Sequence, residues 1–387
     1  MTGKSPDQRQ VLDTQAAILT GTLEHAGYTY IEPDILQPAG AFLDRSGEDI
    51  RLRTYVFTDP AGNELCLRPD ITVPACRYHL AHADDPGAEN RYSYLGPAFR
   101  FQRDGVSQLT PREFEQAGVE NFGAKDRERA EAKTLALAIE AVQAAGLNTF
   151  SVKVGDLGLF DAMLAGIDMP NRWRERLHHQ FWRPEAFRNL LQHLSAQGGE
   201  GHETADELSG KDEAEAVNLV EAKLEAGRIP LVGGRNVEEI AQRLHEKAAD
   251  RVGDPLNEDV VAKIESYLAV MGSPLDAYGA IGALELPGPA ISRALDLFAR
   301  RFVLLSEIGI DTSGFEFSAE FGRNLEYYTG HVFQIEAEGK NGPVPVVGGG
   351  RYDRLLSDLG AAEPIPAVGF AIHTERLAAV VQEHADG

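Results

Sequence analysis

Arg323, Tyr327 and Tyr328 lie a short distance before three consecutive glycines, Gly348–Gly350, which Arg351, Tyr352 and Asp353 follow. A tyrosine ring stacks on or encloses another ring while its hydroxyl bonds a ring nitrogen. Arg323 offers a planar fork to a carboxylate or phosphate. Glycines let the backbone approach a ligand where a Cβ would collide. Together these groups suit the capture of a small aromatic zwitterion. Taken singly, the tyrosines also fit a strand core and the glycines a turn.

Two further segments place polar groups at useful spacing. In Leu67-Arg68-Pro69-Asp70-Ile71-Thr72, Asp70 and Thr72 lie two apart and share a face on extended backbone. A carboxylate and a hydroxyl there hold an α-ammonium group. The same residues fit a helix start, with Asp70 or Thr72 as cap and Pro74 in the first turn. Further on, alternation puts Arg112, Gln116, Gly118 and Glu120 on one strand face. Burying a guanidinium, a carboxamide and a carboxylate demands partners; a polar ligand or mutual ion pairs would supply them. No Ser/His/Asp order and no metal-ligand spacing occurs. Cys66 and Cys76 read as buried, reduced thiols. The eleven histidines are scattered apart from His178 and His179.

The surrounding pattern supplies elements to carry these groups. Val11, Leu12, Ile18, Leu19 and Leu23 mark an amphipathic helix over 8–26 that stops at Gly27. Tyr28–Pro33 alternates like a strand, and Tyr55–Leu67 reads as a hairpin turning at Asp59–Asn63. Tyr92–Gln102 and Arg112–Asn121 form a strand pair. Asp126 caps a helix with Leu135, Ala138, Ile139 and Val142 on one face, ended by Gly146. From 157 to 310 the pattern is mostly helical, with a polar stretch at Gln197–Glu215. Strand character returns at Gly314–Glu320, Gly330–Glu338 and Pro343–Gly348, before helices at Tyr352–Leu359 and Thr374–Glu383. Strands flanking helices predict an α+β fold with a mostly antiparallel sheet.

Composition narrows the function. The chain has 387 residues, and 60 Asp and Glu against 37 Lys and Arg give a net charge of −23. A protein that grips nucleic acid needs clustered Lys and Arg to neutralise phosphates. No dense basic run is present, so tRNA is not an expected ligand. Residues 1–7 lack an apolar signal region, and Ala290–Ile310 is broken by Arg293, Asp296, Arg300, Arg301 and Glu307. A cytoplasmic protein without membrane contact is expected.

Five segments then align in order with known motifs. Gly27–Pro33 looks like motif 1 and Phe99–Gly118 like motif 2 of class II histidyl-tRNA synthetases. Arg323–Thr329 and Gly349–Asp353 look like their two histidine signatures, and Val368–Leu377 like motif 3. The chain resembles that family over nearly its whole length. The resemblance implies a class II synthetase-like core at 1–156 and 311–387, with a helical insertion at 157–310. It implies a histidine pocket in which Asp70, Thr72 and Gln116 meet the α-amino group, and Glu120 and Tyr328 meet the imidazole. Tyr352 completes that pocket with Tyr327 nearby. Arg100, Arg112, Arg323 and Arg376 remain as phosphate- or carboxylate-binding groups.

Departures from the family pattern fall on the handling of ATP. Asp70-Ile71 replaces Glu-Gly, Gln102 replaces a motif 2 carboxylate, and Thr110 stands where a loop arginine is expected. Arg103–Pro111 is about two residues longer than its counterpart, Asn324 replaces glycine in the first signature, and His373 replaces a motif 3 glycine. Eleven residues follow Arg376, so an anticodon-binding domain of roughly a hundred residues is not expected. These features resemble the synthetase-like branch formed by ATP phosphoribosyltransferase regulatory subunits. Membership would imply a non-catalytic protein without a cofactor, dimeric within a hetero-octamer shared with a short catalytic subunit. It would activate that subunit in the first step of L-histidine biosynthesis and mediate feedback inhibition by histidine. The surviving Arg100, Arg323 and Arg376 leave open a truncated synthetase or a histidyl-adenylate-forming ligase; a free-standing histidine sensor is the third reading.

Overall fold

The computed structural model describes residues 3–43, 47–103, 105–107, 109–196, 207, 211–227, 236–238, 240–242, 244, 255–322 and 327–386. Its strands are β1 (Thr29–Tyr30), β2 (Leu36–Pro38), β3 (Tyr55–Thr58), β4 (Glu64–Leu67), β5 (Asn90–Phe99), β6 (Glu113–Phe122), β7 (Ser151–Asp156), β8 (Met271–Gly272), β9 (Phe315–Ser318), β10 (His331–Gly339), β11 (Gly342–Arg351) and β12 (Ala367–His373). The helices used below are α1 (Pro6–His25), α2 (Gly40–Leu43), α3 (Gly47–Arg53), α4 (Thr72–His82), α5 (Arg127–Ala144), α6 (Leu157–Gly166), α7 (Asn171–Gln180), α8 (Pro184–Ser195), α9 (Glu213–Gly227), α10 (Glu258–Leu268), α11 (Pro274–Ala283), α12 (Pro289–Glu307), α13 (Leu355–Asp358) and α14 (Thr374–Asp386).

Two compact units result: Met1–Gly166 with Tyr267–Gly387, and Ile167–Ser266. The helical stretch 157–310 read from sequence as one insertion is thus divided. α6, α11 and α12 belong with the first unit, where α12 packs on α5 and α6. The second unit has α7 and α8 packed together through Trp173, Leu177, Phe187, Leu191 and Leu194. Part of α9 forms a separate small core there, where Ala216 and Val220 meet Ala241.

The first unit carries a nine-stranded sheet in the order β1-β5-β6-β12-β11-β10-β7-β9-β8, and a three-stranded sheet β2-β4-β3. Among the described residues of the large sheet, only β1–β5 and β7–β9 pair in parallel. The mostly antiparallel α+β architecture is therefore as expected. Phe122, Phe333, Phe370, Val332 and Ile335 are buried on it, and α1 and α5 pack against each other beside it. α1 begins under a capping box, with Ser5 Oγ accepting from the Gln8 N–H and Gln8 Oε1 accepting from the Ser5 N–H. Asp126 accepts from the Arg129 N–H at 3.2 Å and starts α5.

Three local expectations change. The strand expected at Tyr28–Pro33 pairs only through Thr29 and Tyr30, with the Ile31 N–H donating once more to Ser93. Gly348–Gly350 form no turn; they lie in β11 between β10 and β12. A Cβ on Gly349 would sit 2.5 Å from the Gly369 carbonyl oxygen and one on Gly350 2.6 Å from the His331 carbonyl oxygen, so these two glycines serve close strand packing. Asp70 and Thr72 lie at the start of α4 rather than on a strand. Among the described residues no helix is long and apolar enough to cross a membrane.

Candidate functional site

β6, β12 and β11 are neighbours in the sheet although Phe122 and Ala367 are far apart in sequence. Their faces, the start of α4 and the residues around Tyr327 enclose a cavity of about 410 Å³, within the range of small-molecule sites. Asp70, Thr72, Gln116, Tyr327, Tyr328, Tyr352, Arg100 and Arg376 all line it. The fold thus brings residues from five separate segments of the sequence reading to one cavity.

Glu120 lies under the cavity wall and is fully buried. The Tyr94 hydroxyl donates to Oε1 at 3.0 Å and the Tyr352 hydroxyl donates to Oε2. Burial pushes its carboxyl up to about 8, and the hydroxyls of Tyr352, Thr72 and Tyr94 only partly oppose that rise. Its position depends on Gly369, its partner across the ladder: a Cβ there would lie 1.8 Å from Glu120 Oε2. Sequence reasoning gave no reason for this glycine, because the β6–β12 pairing that requires it is long-range.

Asp70 bears out its reading as a helix start. Oδ1 accepts from the Val73 N–H at 3.2 Å and so caps α4, while Oδ2 is buried with no hydrogen-bond partner among the described residues. Burial raises its carboxyl, against the pull of the Arg100 guanidinium. Gln116 Oε1 is likewise buried without a described partner. A buried acceptor without a donor is costly, so a cationic or N–H-bearing ligand matches both. Above them the rings of Tyr327, Tyr328 and Tyr352 cluster. Their centroids lie 4.8 Å (Tyr327–Tyr328), 5.7 Å (Tyr327–Tyr352) and 6.3 Å (Tyr328–Tyr352) apart.

The other end of the cavity is cationic. Arg100 Nε donates to the Pro69 carbonyl at 2.8 Å, and Arg376 Nε donates to the Leu109 carbonyl at 2.8 Å. Arg53, at the end of α3, also lines this end and donates to Gln102 Oε1 at 3.1 Å. No sequence signal marked Arg53, since α3 reaches the site only through the tertiary fold. Phe114 is occupied on its ring: His373 stacks on it at 4.4 Å and 10°, and the Arg100 guanidinium lies 5.1 Å from its centroid. Burial, reinforced by Arg376 and Arg100, keeps the His373 imidazole neutral.

Arg112 is outside the cavity lining: β6 begins at Glu113, so the alternation that aligned Arg112 with Gln116 does not extend to it. Arg323 and Asn324 lie outside the described residues. Among the described residues no group of three or more His, Cys, Asp or Glu could hold a metal ion. The geometry thus offers an ammonium site at Asp70, a ring site at the tyrosines above Glu120, and guanidinium groups for a carboxylate or phosphate.

The histidyl-tRNA synthetase family model matches residues 4–186 and 180–377. An ATP phosphoribosyltransferase regulatory subunit of Chelativorans sp. is 38% identical over 353 residues, covering 89% of this chain and 91% of the relative. A protein of the same name from Brucella anthropi is 37% identical over 379 residues, covering 94% of this chain and 96% of the relative. Among solved structures, an ATP phosphoribosyltransferase regulatory subunit/histidyl-tRNA synthetase from Bacillus halodurans superposes with a TM-score of 0.68 at 22% identity, over 98% of this chain and 82% of that one. A histidine–tRNA ligase subunit from Alicyclobacillus acidocaldarius gives 0.62 at 23% identity, over 100% and 97%. The synthetase-like fold and the shared sequence agree: the chain belongs to the histidyl-tRNA synthetase-like family of ATP phosphoribosyltransferase regulatory subunits.

Proposed function

We propose that this chain is a non-catalytic regulatory subunit of ATP phosphoribosyltransferase, activating a short catalytic subunit in the first step of L-histidine biosynthesis and relaying inhibition by histidine. The names of its relatives support the role. The observation that carries the ligand is the tyrosine cluster over buried Glu120, in a cavity also lined by Asp70 and Gln116, whose buried oxygens have no partner among the described residues. Histidine would place its α-ammonium at Asp70, Thr72 and Gln116 and its ring at Tyr328 and Glu120. Tyr327 and Tyr352 would enclose the ring, and Arg100 or Arg376 would take its carboxylate. Arg112 stays in the proposal as an outlying anion-binding group, and Arg323 as an anion-binding group.

Regulation then works as linkage. Histidine favours one state of the assembly, and a coupling of about 1–3 kcal/mol shifts activity several-fold or more. The assembly would be a cytoplasmic hetero-octamer containing dimers of this chain, with tRNA no part of it. His373, stacked on Phe114, supports the absence of adenylate chemistry, because it takes a ring face on which a purine would stack. The lining arginines favour the rival, a histidyl-adenylate-forming ligase. Histidine-dependent exchange of pyrophosphate into ATP separates the two, and robust exchange would defeat the regulatory reading. Its direct test is reconstitution with a short catalytic subunit. Phosphoribosyl transfer should rise when this chain is added and fall when histidine follows; an unchanged rate would leave a free-standing sensor.

A further inference from the structure

Arg351 and Tyr352 are neighbours at the end of β11, and successive residues on extended backbone point opposite ways. Tyr352 lines the cavity, while the Arg351 guanidinium meets α5. Each of its nitrogens is bonded. Nε donates to Glu131 Oε1, Nη1 to Asp353 Oδ1 at 2.7 Å and Nη2 to the Arg127 carbonyl at 2.9 Å. Arg351 is 6% exposed and Glu131 only 2%. Glu131 also accepts from Arg301 Nε of α12, and Arg301 Nη1 donates to Asp156 at 2.9 Å. Two guanidinium groups and two carboxylates thus balance inside the first unit.

The same residue ties down both segments that carry the tyrosines. Its carbonyl accepts from the Thr329 N–H at 2.8 Å, directly after Tyr327 and Tyr328. Asp353, which accepts from Arg351, donates its own N–H to Thr329 Oγ1 at 3.0 Å and takes the Ala367 N–H on Oδ1 at 2.9 Å. The Tyr352 N–H donates to the Ala367 carbonyl at 2.9 Å. Gly330 leaves room for this arrangement, since a Cβ there would lie 3.2 Å from Arg351 Cδ. The backbone on both sides of the ring cluster is therefore fixed through Arg351 and Asp353.

A buried ion pair is a poor source of stability, because desolvation offsets much of the attraction. What a planar fork bonded in three directions supplies is placement. The group that needs placing is Tyr352, whose hydroxyl donates to Glu120 under the cavity wall. Arg301 makes the contrast: it shares Glu131 and is as deeply buried, yet its hydrogen bonds go to Glu131 and Asp156 and to neither tyrosine segment. We propose that Arg351, held by Glu131 and Asp353, is a positioning residue for the ring pocket, setting Tyr352 directly and Tyr327 and Tyr328 through Thr329. Its effect on histidine rests on the function proposed above; its effect on the rings does not.

The test compares Arg351→Lys with Arg301→Lys, each of which keeps a cation and loses its fork. The full chain is labelled with 3-fluorotyrosine, the Tyr352 resonance is assigned with Tyr352→Phe, and histidine binding is measured by calorimetry. In the free protein Arg351→Lys should shift or broaden the Tyr352 fluorine resonance, and its histidine affinity should fall at least about ten-fold. Arg301→Lys should leave that resonance in place and bind histidine within about two-fold of wild type, whatever its urea midpoint. Asp353→Ala should reproduce Arg351→Lys, and Asp353→Asn, which keeps an acceptor, should restore most of the loss; this pair decides the matter if Arg351→Lys does not fold. An unmoved Tyr352 resonance in Arg351→Lys or Asp353→Ala would overturn the proposal, as would an equal shift in Arg301→Lys. A wild type that binds no histidine would defeat the histidine reading instead, with the fluorine comparison still deciding the role of Arg351.

Discussion

Replacing Glu120 by Gln isolates the energetic cost of a carboxyl buried under the site. Glu120 is fully buried between two phenols, and its carboxyl is pushed from 4.5 up to about 8. Below pH 4.5 the folded and unfolded chains both hold its proton, and the group contributes nothing to the pH dependence. Between 4.5 and about 8 the unfolded chain has released the proton and the folded chain keeps it, so stability falls as pH rises. At 1.36 kcal/mol per unit, the full loss above that window is roughly 5 kcal/mol. Between about pH 6 and about pH 8, the same two pKa values give a loss of roughly 2 kcal/mol. Gln is nearly isosteric, still accepts from one tyrosine, and does not titrate. Urea unfolding of wild type and Glu120→Gln at both pH values is the assay, read as the difference between the proteins so that other titrating groups cancel. The variant should gain about 2 kcal/mol on the wild type as pH rises over that interval. Parallel pH profiles would show that Glu120 is already ionised near neutrality, and the reasoning would be wrong.

Two other substitutions probe the surroundings. Gly369→Ala places a Cβ 2.4 Å from the Val119 carbonyl oxygen and 1.8 Å from Glu120 Oε2; it should cost at least about 1–3 kcal/mol of stability in urea unfolding and weaken histidine binding in calorimetry. Glu131 is held at about 2 because Arg301 and Arg351 outweigh its burial, and Arg301 also bonds Asp156 at 2.9 Å. Glu131→Gln leaves two buried guanidinium groups short of a counter-charge and should lower stability by about 3–5 kcal/mol, measured as a loss of urea midpoint.

Much of this architecture was legible because its signals are local. The turn at Asp59–Asn63 and the Asp126 cap depend on neighbouring residues alone, and the β5–β6 pair joins strands that follow one another in sequence. Most of the cavity lining was legible through side-chain type, and Asp70 caps α4 while it lines that cavity. What stayed hidden depends on strands and helices distant in sequence. Glu120 needs Gly369 across the β6–β12 ladder, Arg53 reaches the cavity from α3, and His373 covers Phe114 through that same pairing. Arg112 was misjudged by extending a strand one residue too far.

Histidine titration by calorimetry, on wild type and Tyr328→Ala, tests the central claim most directly. Tyr328 is 6% exposed and lines the cavity beside Tyr327 and Tyr352, so losing its ring opens the enclosure without touching Asp70 or Glu120. The account predicts one saturable histidine site per chain, weakened at least about ten-fold in the variant. Undiminished binding by Tyr328→Ala, or no binding by the wild type, would contradict it.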